Sequence, residues 1–310
     1  MTLRPIPQGT SHESARFCKT VTLGDDCESR KCFTRQWTLA RVESYAEVVQ
    51  SAIPLMKNVV LIGGGHAHAL VMRSWAMEPT AGVRVTVINP APTAPYTGML
   101  PGFVAGHYTR DELDIDLVKL GRFADTRVVI GAATGIDRDN KTVTVDGRPP
   151  IPYDICSINI GITSELRTLP GFMQHAVPAK PLGTFANRWT DFVASRAGVV
   201  TEPRVVVIGG GVGGSELAMA MAFRLREEGH RPQVTVVDRS NILTEVGDTA
   251  EQELRAGMQG LGIEVREHVA VESVAADHVT VLAEGRAETV PADLIVGCLL
   301  YTSPSPRDRG

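Results

Sequence analysis

The sequence predicts an α/β protein with two Rossmann-like units, each built on a parallel sheet. One order of elements occurs twice along the chain: a short apolar run, a glycine cluster, a helix-like stretch and a second apolar run. The apolar runs are rich in Val and Ile and alternate with helical segments, which is typical of βαβ units. A length of 310 residues is also enough for about two domains.

The first unit begins at about residue 57, where the chain first shows a regular pattern. A predicted strand at 59–62 leads directly into the glycine cluster Gly63-Gly64-Gly65. A helix over 67–77 and a strand over 83–88 complete the βαβ pattern, and a loop rich in Pro and Gly follows at 90–102. Further along we predict a helix over 111–123 and short strands at 127–130, 142–145 and 155–160.

The second unit repeats this order of elements. A predicted strand over 204–208 leads into a longer glycine cluster, Gly209-Gly210-Gly211-Val212-Gly213-Gly214, and a helix over 215–228 ends at Gly229. The remaining predicted elements are a strand over 233–238, a helix over 248–260 and a run of short strands within 263–296. We therefore expect one nucleotide-binding domain at 57–200 and a second at 201–297.

The second glycine cluster carries the pattern Gly-x-Gly-x-x-Gly between a predicted strand and a predicted helix. There Gly209 allows a tight turn, Gly211 lets a pyrophosphate approach the backbone, and Gly214 lets the helix pack on the strand. The first N–H groups of the helix then attract the phosphates. Asp238 ends the next strand, where a carboxylate binds the ribose 2′-hydroxyl and favours NAD(H) over NADP(H). Arg239 weakens this preference, because Arg can pair with a 2′-phosphate. The predicted contacts are Gly209, Gly211, Val212, Gly213, Gly214 and Asp238.

The first glycine cluster departs from this pattern. Gly63 and Gly65 hold the first two glycine positions, but His68 stands at the third, and Asn89 rather than an acid ends the next strand. Asn can still hydrogen-bond a ribose hydroxyl, although it lacks the selectivity of a charge. One alternative is a purely structural turn. Another is a metal site at His66 and His68; these two positions do not share a helix face and no third ligand is evident, so we predict no metal.

Composition and charge exclude several classes of function. The chain has 31 Lys and Arg against 35 Asp and Glu, a net charge of −4, so we expect neither a nucleic-acid-binding surface nor a polybasic membrane patch. It has no run of about 18 apolar residues, which argues against a transmembrane helix. Five Cys without a framework spacing favour a reducing compartment, and we expect a cytoplasmic protein.

The two ends of the chain differ from its body. Residues 1–56 show no clear periodicity apart from a short predicted helix over 41–53, and we expect a disordered or targeting leader. If that leader is a transit peptide, the location is organellar instead. Residues 298–310 are polar, broken by Pro and non-native in appearance, and we therefore expect a chain that is truncated at its C-terminus.

Two dinucleotide-binding units in series resemble the two-domain FAD/NAD(P)-dependent pyridine nucleotide-disulfide oxidoreductase superfamily. Within it, the sequence is most similar to type II NADH dehydrogenase-like flavoproteins, especially the branch associated with selenide, water dikinase. The resemblance covers about 57–297, and His68 at the third glycine position is usual in this branch. The matching segments are Gly63-Gly64-Gly65-His66-Ala67-His68, the Pro-Tyr-Thr-Gly-Met-Leu-Pro-Gly loop at 95–102, Gly106-His107-Tyr108, the segment 153–161, and Val177-Pro178-Ala179-Lys180-Pro181.

The resemblance implies FAD on an incomplete first domain and NAD(H), or less readily NADP(H), on the second. Hydride would pass from NADH to FAD, and electrons would pass on to a quinone or another small acceptor. The implied catalytic residues are Lys180, near the isoalloxazine ring, and Glu216, facing the nicotinamide; the alternatives are a surface Lys and a solvated acid. The implied FAD contacts are Gly63, Gly64, Gly65, His66, His68, Asn89, Thr97, Gly98, Met99, Leu100 and Gly161.

Two other functions remain open from the sequence. The first is a reductase accessory to selenium or sulfur metabolism, with a functional link to selenide, water dikinase, which rests on analogy alone. The second is a non-catalytic nucleotide-binding fragment. No dithiol follows the first glycine cluster, which disfavours disulfide-reductase chemistry by that route. No Gly-Lys-Ser/Thr phosphate loop occurs, so a kinase half is not evident.

Overall fold

The computed structural model describes residues 56–164 and 166–298. The helix predicted over 41–53, nearly all of the expected leader and residues 299–310 of the tail lie outside these ranges. None of the described helices is long and apolar enough to cross a membrane.

Strands and helices follow one another as the repeated pattern predicts. The strands are β1 (Lys57–Ile62), β2 (Val83–Asn89), β3 (Thr93–Pro95), β4 (Asp114–Asp116), β5 (Arg127–Ile130), β6 (Ala133–Asp137), β7 (Thr142–Val145), β8 (Ile151–Pro152), β9 (Ile155–Ile158), β10 (Val177–Pro178), β11 (Arg204–Ile208), β12 (Gln233–Val237), β13 (Glu264–Arg266), β14 (Ala270–Val274), β15 (His278–Ala283), β16 (Arg286–Pro291) and β17 (Leu294–Gly297). The helices are α1 (His66–Met77), α2 (Leu100–Val104), α3 (Arg110–Leu113), α4 (Leu117–Phe123), α5 (Phe172–His175), α6 (Leu182–Ala194), α7 (Val212–Glu227) and α8 (Asp248–Gly260), with a 3₁₀ turn at Thr97–Met99.

The first unit is a three-layer sandwich around a parallel sheet of order β5-β2-β1-β9. Successive side chains of β1 point to opposite faces, as strand geometry requires. Val60 and Ile62 pack toward the antiparallel sheet β6-β7-β8, while Leu61 packs toward Met72 of α1 and Leu117 of α4. The strand is therefore apolar on both faces, as expected for a parallel strand that is covered on both sides.

The second unit has the same construction. Its parallel sheet has the order β10-β17-β11-β12-β13. Val205 and Val207 of β11 face the core built on helices α6, α7 and α8, and Val206 and Ile208 face the antiparallel sheet β14-β15-β16. The predicted α/β fold with two Rossmann-like units on parallel sheets is confirmed.

The chain enters the second parallel sheet before residue 200, the expected boundary between the two domains. β10 pairs with β17 in the second sheet, and Phe185 and Trp189 of α6 are buried in the core of the second unit. The connector between the units therefore belongs structurally to the second one. Sequence reading placed no helix at 182–194, although its buried positions recur at helical spacing.

The single helix predicted over 111–123 is wrong. The chain forms α3, then the short strand β4, then α4. Asp116 begins a separate helix, because its carboxylate accepts a hydrogen bond from the Lys119 N–H at 2.8 Å and thereby caps the N-terminus of α4. β4 also pairs with β3, so part of the predicted loop at 90–102 is a strand.

A short helix of the first half of the chain connects the two units. α2 packs against α6 and α7, and Leu100 and Val104 are buried in the core of the second unit. The Trp189 indole N–H donates to the Val104 carbonyl oxygen at 3.0 Å. Residues 97–104 are thus attached to the second unit although they follow β3 of the first.

β9 forms one edge of the first parallel sheet within the described part of the chain. Ile155 and Ile158 of this strand are exposed, and so are Ile160 and Ile162 just beyond it. An exposed apolar edge offers unpaired backbone groups to another strand and favours association.

We predict that Ile158→Lys reduces self-association of the chain without lowering its stability. Ile158 is 57% exposed, so its replacement removes little packing, and an exposed substitution changes the free energy of unfolding by about 0.5 kcal/mol or less. Light scattering against concentration and thermal unfolding measure the two effects. Val199→Lys, at an exposed apolar residue outside the sheet, is the control. Equal scattering of the two variants would contradict a role for the edge.

Candidate functional site

The first glycine turn joins β1 to α1 through a conformation that favours glycine. Gly63 has φ of +90°, and its N–H donates to the Ile88 carbonyl at the end of β2, at 2.8 Å. A Cβ atom at this position would lie 2.1 Å from the Asn159 carbonyl oxygen. No larger residue fits without moving the backbone, so the turn lies tightly between β2 and the end of β9.

Asn89 holds this turn in place. Its Oδ1 accepts from the Gly64 N–H at 2.9 Å, and its Nδ2 donates to the carbonyl oxygens of Ala91, at 2.7 Å, and Thr93, at 3.2 Å. The side chain is buried and engaged on both ends by the protein's own backbone. Asn89 therefore positions the turn, and its contact with a ribose stays a prediction.

His68, at the third glycine position, connects three elements. Its Nδ1 donates to the Gly63 carbonyl at 2.7 Å, and its Nε2 lies 2.9 Å from Ser157 Oγ on β9. The imidazole is buried and both ring nitrogens have partners. His66 is exposed, with its ring 5.9 Å from that of Tyr96. Among the described residues no cluster of three or more His, Cys, Asp or Glu could hold a metal ion.

The second glycine turn repeats the first. Gly209 has φ of +105° and its N–H donates to the Val237 carbonyl at the end of β12, at 2.9 Å. A Cβ atom at Gly214 would lie 1.9 Å from the Gly209 carbonyl oxygen, which explains the third glycine in physical terms. α7 starts closer to its strand than any side chain would allow.

Asp238 corresponds in position to Asn89. Its Oδ2 accepts from the Gly210 N–H at 2.7 Å, and its Oδ1 accepts from the N–H and the O–H of Ser240, both at 2.9 Å. The carboxylate thus fixes the turn and the start of the following loop. Arg239 is exposed beside it. The choice between the two nicotinamide cofactors, which depends on these two residues, stays a prediction.

Asn159 and Cys298 were not among the predicted site residues. They follow β9 and β17, the strands that pair with β1 and β11 on the side away from β2 and β12. The Asn159 N–H donates to the Ile62 carbonyl, and the Cys298 N–H donates to the Ile208 carbonyl, both at 2.8 Å. The Asn159 side chain lies against the first turn, where its buried Nδ2 has no hydrogen-bond partner and is 2.8 Å from the Cβ that Gly65 lacks. The signal in the sequence that could have identified both residues is their position at the carboxyl end of a predicted strand.

The charges of Lys180 and Glu216, the two predicted catalytic residues, both affect the thiol of Cys298. Lys180 follows β10, and its N–H donates to Ser164 Oγ at 2.8 Å, while Glu216 lies near the start of α7. Burial raises the pKa of the Cys298 thiol to about 11, and the charge of Lys180 lowers this pKa while that of Glu216 raises it. Both charges therefore lie near the end of β17, at the carboxyl end of the second parallel sheet.

The loop at 95–102, which carries the Pro-Tyr-Thr-Gly-Met-Leu-Pro-Gly motif, has residues both at the surface and in the core. Thr97 and Gly98 are exposed and Met99 is half-buried. The side chain of Leu100 is 5% exposed and packs in the core of the second unit, because its helix lies on α6 and α7. The predicted contact of Leu100 with FAD stays a prediction. Gly161 is exposed after β9, with φ of +77°.

The residues of both turns fit the pyrophosphate of a dinucleotide. Neither α1 nor α7 has an acidic residue in its own first helical turn, so no acid of the helix itself repels an anion from the N–H groups at its start. At the first turn, the unpartnered Nδ2 of Asn159 is an additional donor close to that site.

Comparisons with known proteins agree with this geometry. Residues 57–300 match the profile of the family described as pyridine nucleotide-disulphide oxidoreductase. The chain is 25% identical to the NADH dehydrogenase-like protein YutJ of Bacillus subtilis over 193 residues, which are 61% of this chain and 50% of YutJ. It is 24% identical to the demethylphylloquinone reductase NdbB of Synechocystis over 168 residues, 53% of this chain and 41% of NdbB.

The fold is similar to that of solved structures as well. NDH2 from Plasmodium falciparum, solved in complex with NADH, superposes with a TM-score of 0.65 at 14% sequence identity, over 77% of this chain and 54% of that one. The chain thus spans about half the length of the proteins it matches, or less.

We predict that Gly214→Ala lowers the free energy of unfolding by about 1–3 kcal/mol, because the new methyl group would overlap the Gly209 carbonyl oxygen and force α7 away from its strand. Gly213→Ala is the matched control, since its Cβ would lie 3.7 Å from Cys298 Sγ, an ordinary contact. Denaturant unfolding of the two variants measures the difference. Equal stability of both would contradict the close approach.

We predict that Glu216→Gln lowers the pKa of Cys298 and Lys180→Gln raises it, because each variant removes one of the two opposing charges near the thiol. The pH dependence of Cys298 alkylation, followed by mass spectrometry of its peptide, reports this pKa. In the parent chain alkylation should rise toward pH 11, since only the thiolate reacts. An unchanged profile in either variant would contradict the juxtaposition.

Proposed function

The chain belongs to the pyridine nucleotide-disulphide oxidoreductase family, and on that basis we propose that it is an FAD-dependent NAD(P)H oxidoreductase. Electrons pass from NADH, or less readily NADPH, to FAD and then to a quinone or another small acceptor. The observation that carries the proposal is the duplication of the glycine turn, each time with a polar residue from the second strand bound to its middle N–H. One chain thereby has places for two dinucleotides.

The first unit is the proposed FAD site. The helix start after Gly65 and the amide of Asn159 would hold the pyrophosphate, while Asn89 and His68 keep the turn in shape. Thr97 and Gly98 are exposed and directly precede α2, the helix that packs on the second unit. There they would contact the isoalloxazine ring of FAD. When bound, FAD accepts a hydride from the nicotinamide and passes electrons to the acceptor.

The second unit is the proposed NAD(H) site. The start of α7 would bind the pyrophosphate, and Asp238 would accept from the ribose while it holds the turn. Glu216, one turn into α7, would face the nicotinamide. Lys180 is half-buried and its charge reaches the same region, which supports a role in balancing negative charge on a reduced flavin.

The acceptor is proposed from the relatives. NdbB is named for the reduction of demethylphylloquinone, and this name supports a quinone as the acceptor here. A cytoplasmic location and a link to selenide, water dikinase stay predictions of the sequence. A non-catalytic nucleotide-binding fragment remains the second candidate function, because the chain matches at most about half of its curated relatives.

The test is anaerobic reduction of the full chain reconstituted with FAD. We expect NADH to bleach the visible flavin absorption band and a soluble quinone to restore it, with NADPH less effective at equal concentration because of Asp238. Lys180→Gln should slow the reduction by NADH while leaving the flavin content unchanged. A flavin-loaded chain whose spectrum responds to neither nicotinamide cofactor would overturn the proposed reaction and favour the non-catalytic fragment.

A further inference from the structure

A carboxylate from a distant part of the second unit lies over the second glycine turn. Glu245 belongs to the loop between β12 and α8, and its Oε2 accepts from the N–H of Val212, the first residue of α7, at 3.3 Å. The Cβ that Gly211 lacks would lie 3.2 Å from each of the two carboxylate oxygens. The acid therefore occupies the space that Gly211 leaves open at the helix start.

The loop that presents Glu245 is held firmly to the turn. The Leu243 N–H donates to the Gly210 carbonyl at 3.0 Å, and the Ile242 N–H donates to Glu267 Oε1 at 2.8 Å. Ile242 and Leu243 are both buried. Glu245 itself is exposed, so its side chain can rotate away from the helix start without disturbing these contacts.

The two glycine turns differ in what faces them. The first turn has an amide beside Gly65, whose Nδ2 on Asn159 is an unused donor. The second has the charged acceptor of Glu245 beside Gly211. An anion at the first site would gain a hydrogen bond, whereas an anion at the second would have to displace a resident negative charge.

We propose that Glu245 sets the affinity of the second site by occupying the position of the dinucleotide pyrophosphate. It leaves that position when the dinucleotide binds, and it returns when the dinucleotide leaves. This inference rests on the proposed function, in which FAD stays bound while the nicotinamide cofactor exchanges in every turnover. A competing carboxylate weakens binding of the exchanging cofactor and favours its release.

The test is calorimetric titration of the full chain with ADP-ribose, which has the pyrophosphate but no nicotinamide, and with adenosine, which has no phosphate. We expect Glu245→Gln to lower the Kd for ADP-ribose about fivefold at low salt, the factor expected from one repulsion between exposed charges a few ångströms apart in water. The gain should shrink as salt screens the repulsion. The Kd for adenosine should not change.

Two further variants make the result specific. Glu245→Ala removes the occupant as well as its charge and should tighten ADP-ribose at least as much as Glu245→Gln. Glu253→Gln removes an exposed acid from α8, away from the turn, and should leave the Kd unchanged. Thermal unfolding of each variant verifies its fold.

The outcomes separate this inference from the proposed function. Parent and Glu245 variants that bind ADP-ribose with equal Kd would overturn the role of Glu245 and leave the nucleotide site intact. Tightening that appears equally for adenosine, or equally in Glu253→Gln, would also overturn it. If neither parent nor variants bind ADP-ribose at all, the inference and the NAD(H) site fail together.

Discussion

The structure depends most on one hydrogen bond that each unit forms at the carboxyl end of its parallel sheet. The middle glycine of each turn donates its N–H to the residue that follows or ends the second strand, Asn89 in one unit and Asp238 in the other. This bond ties the end of the second strand to the turn between the first strand and its helix. His68 adds a second bond to the first turn through the Gly63 carbonyl oxygen, and Gly214 lets the start of α7 approach the second.

Amide and carboxylate are not equivalent in that bond. Asn89 uses its second group to bind carbonyl oxygens of the following loop, whereas Asp238 can only accept and binds donors of Ser240. The same backbone geometry is therefore built with a neutral group in the first unit and a charged group in the second. The two sites thus differ in charge at this bond. They differ again at the next glycine, where the neutral Asn159 lies beside Gly65 and the charged Glu245 beside Gly211.

Strands, glycine turns and their helices were predictable because they depend on local patterns: β-branched runs, glycines at fixed spacing and a polar residue at a strand end. The break at Asp116 was not, because its pairing partner β3 lies in a segment that looks like a loop. Glu245 gave no signal, since its contact with Val212 joins positions 33 residues apart with no shared motif. The packing role of Leu100 could not be predicted, because only the tertiary structure places its helix on α6 and α7.

The packing of α2 on α6 and α7 has a consequence for the autonomy of the two halves. The second sheet takes β10 from upstream of its glycine turn, and its core includes Leu100 and Val104. A gene fragment that began at residue 201 would encode a sheet without one edge strand and a helix layer with an uncovered apolar surface. The two nucleotide-binding halves are therefore joined by the packing of α2 on α6 and α7. Replacement of either half by that of a related protein would have to preserve this contact.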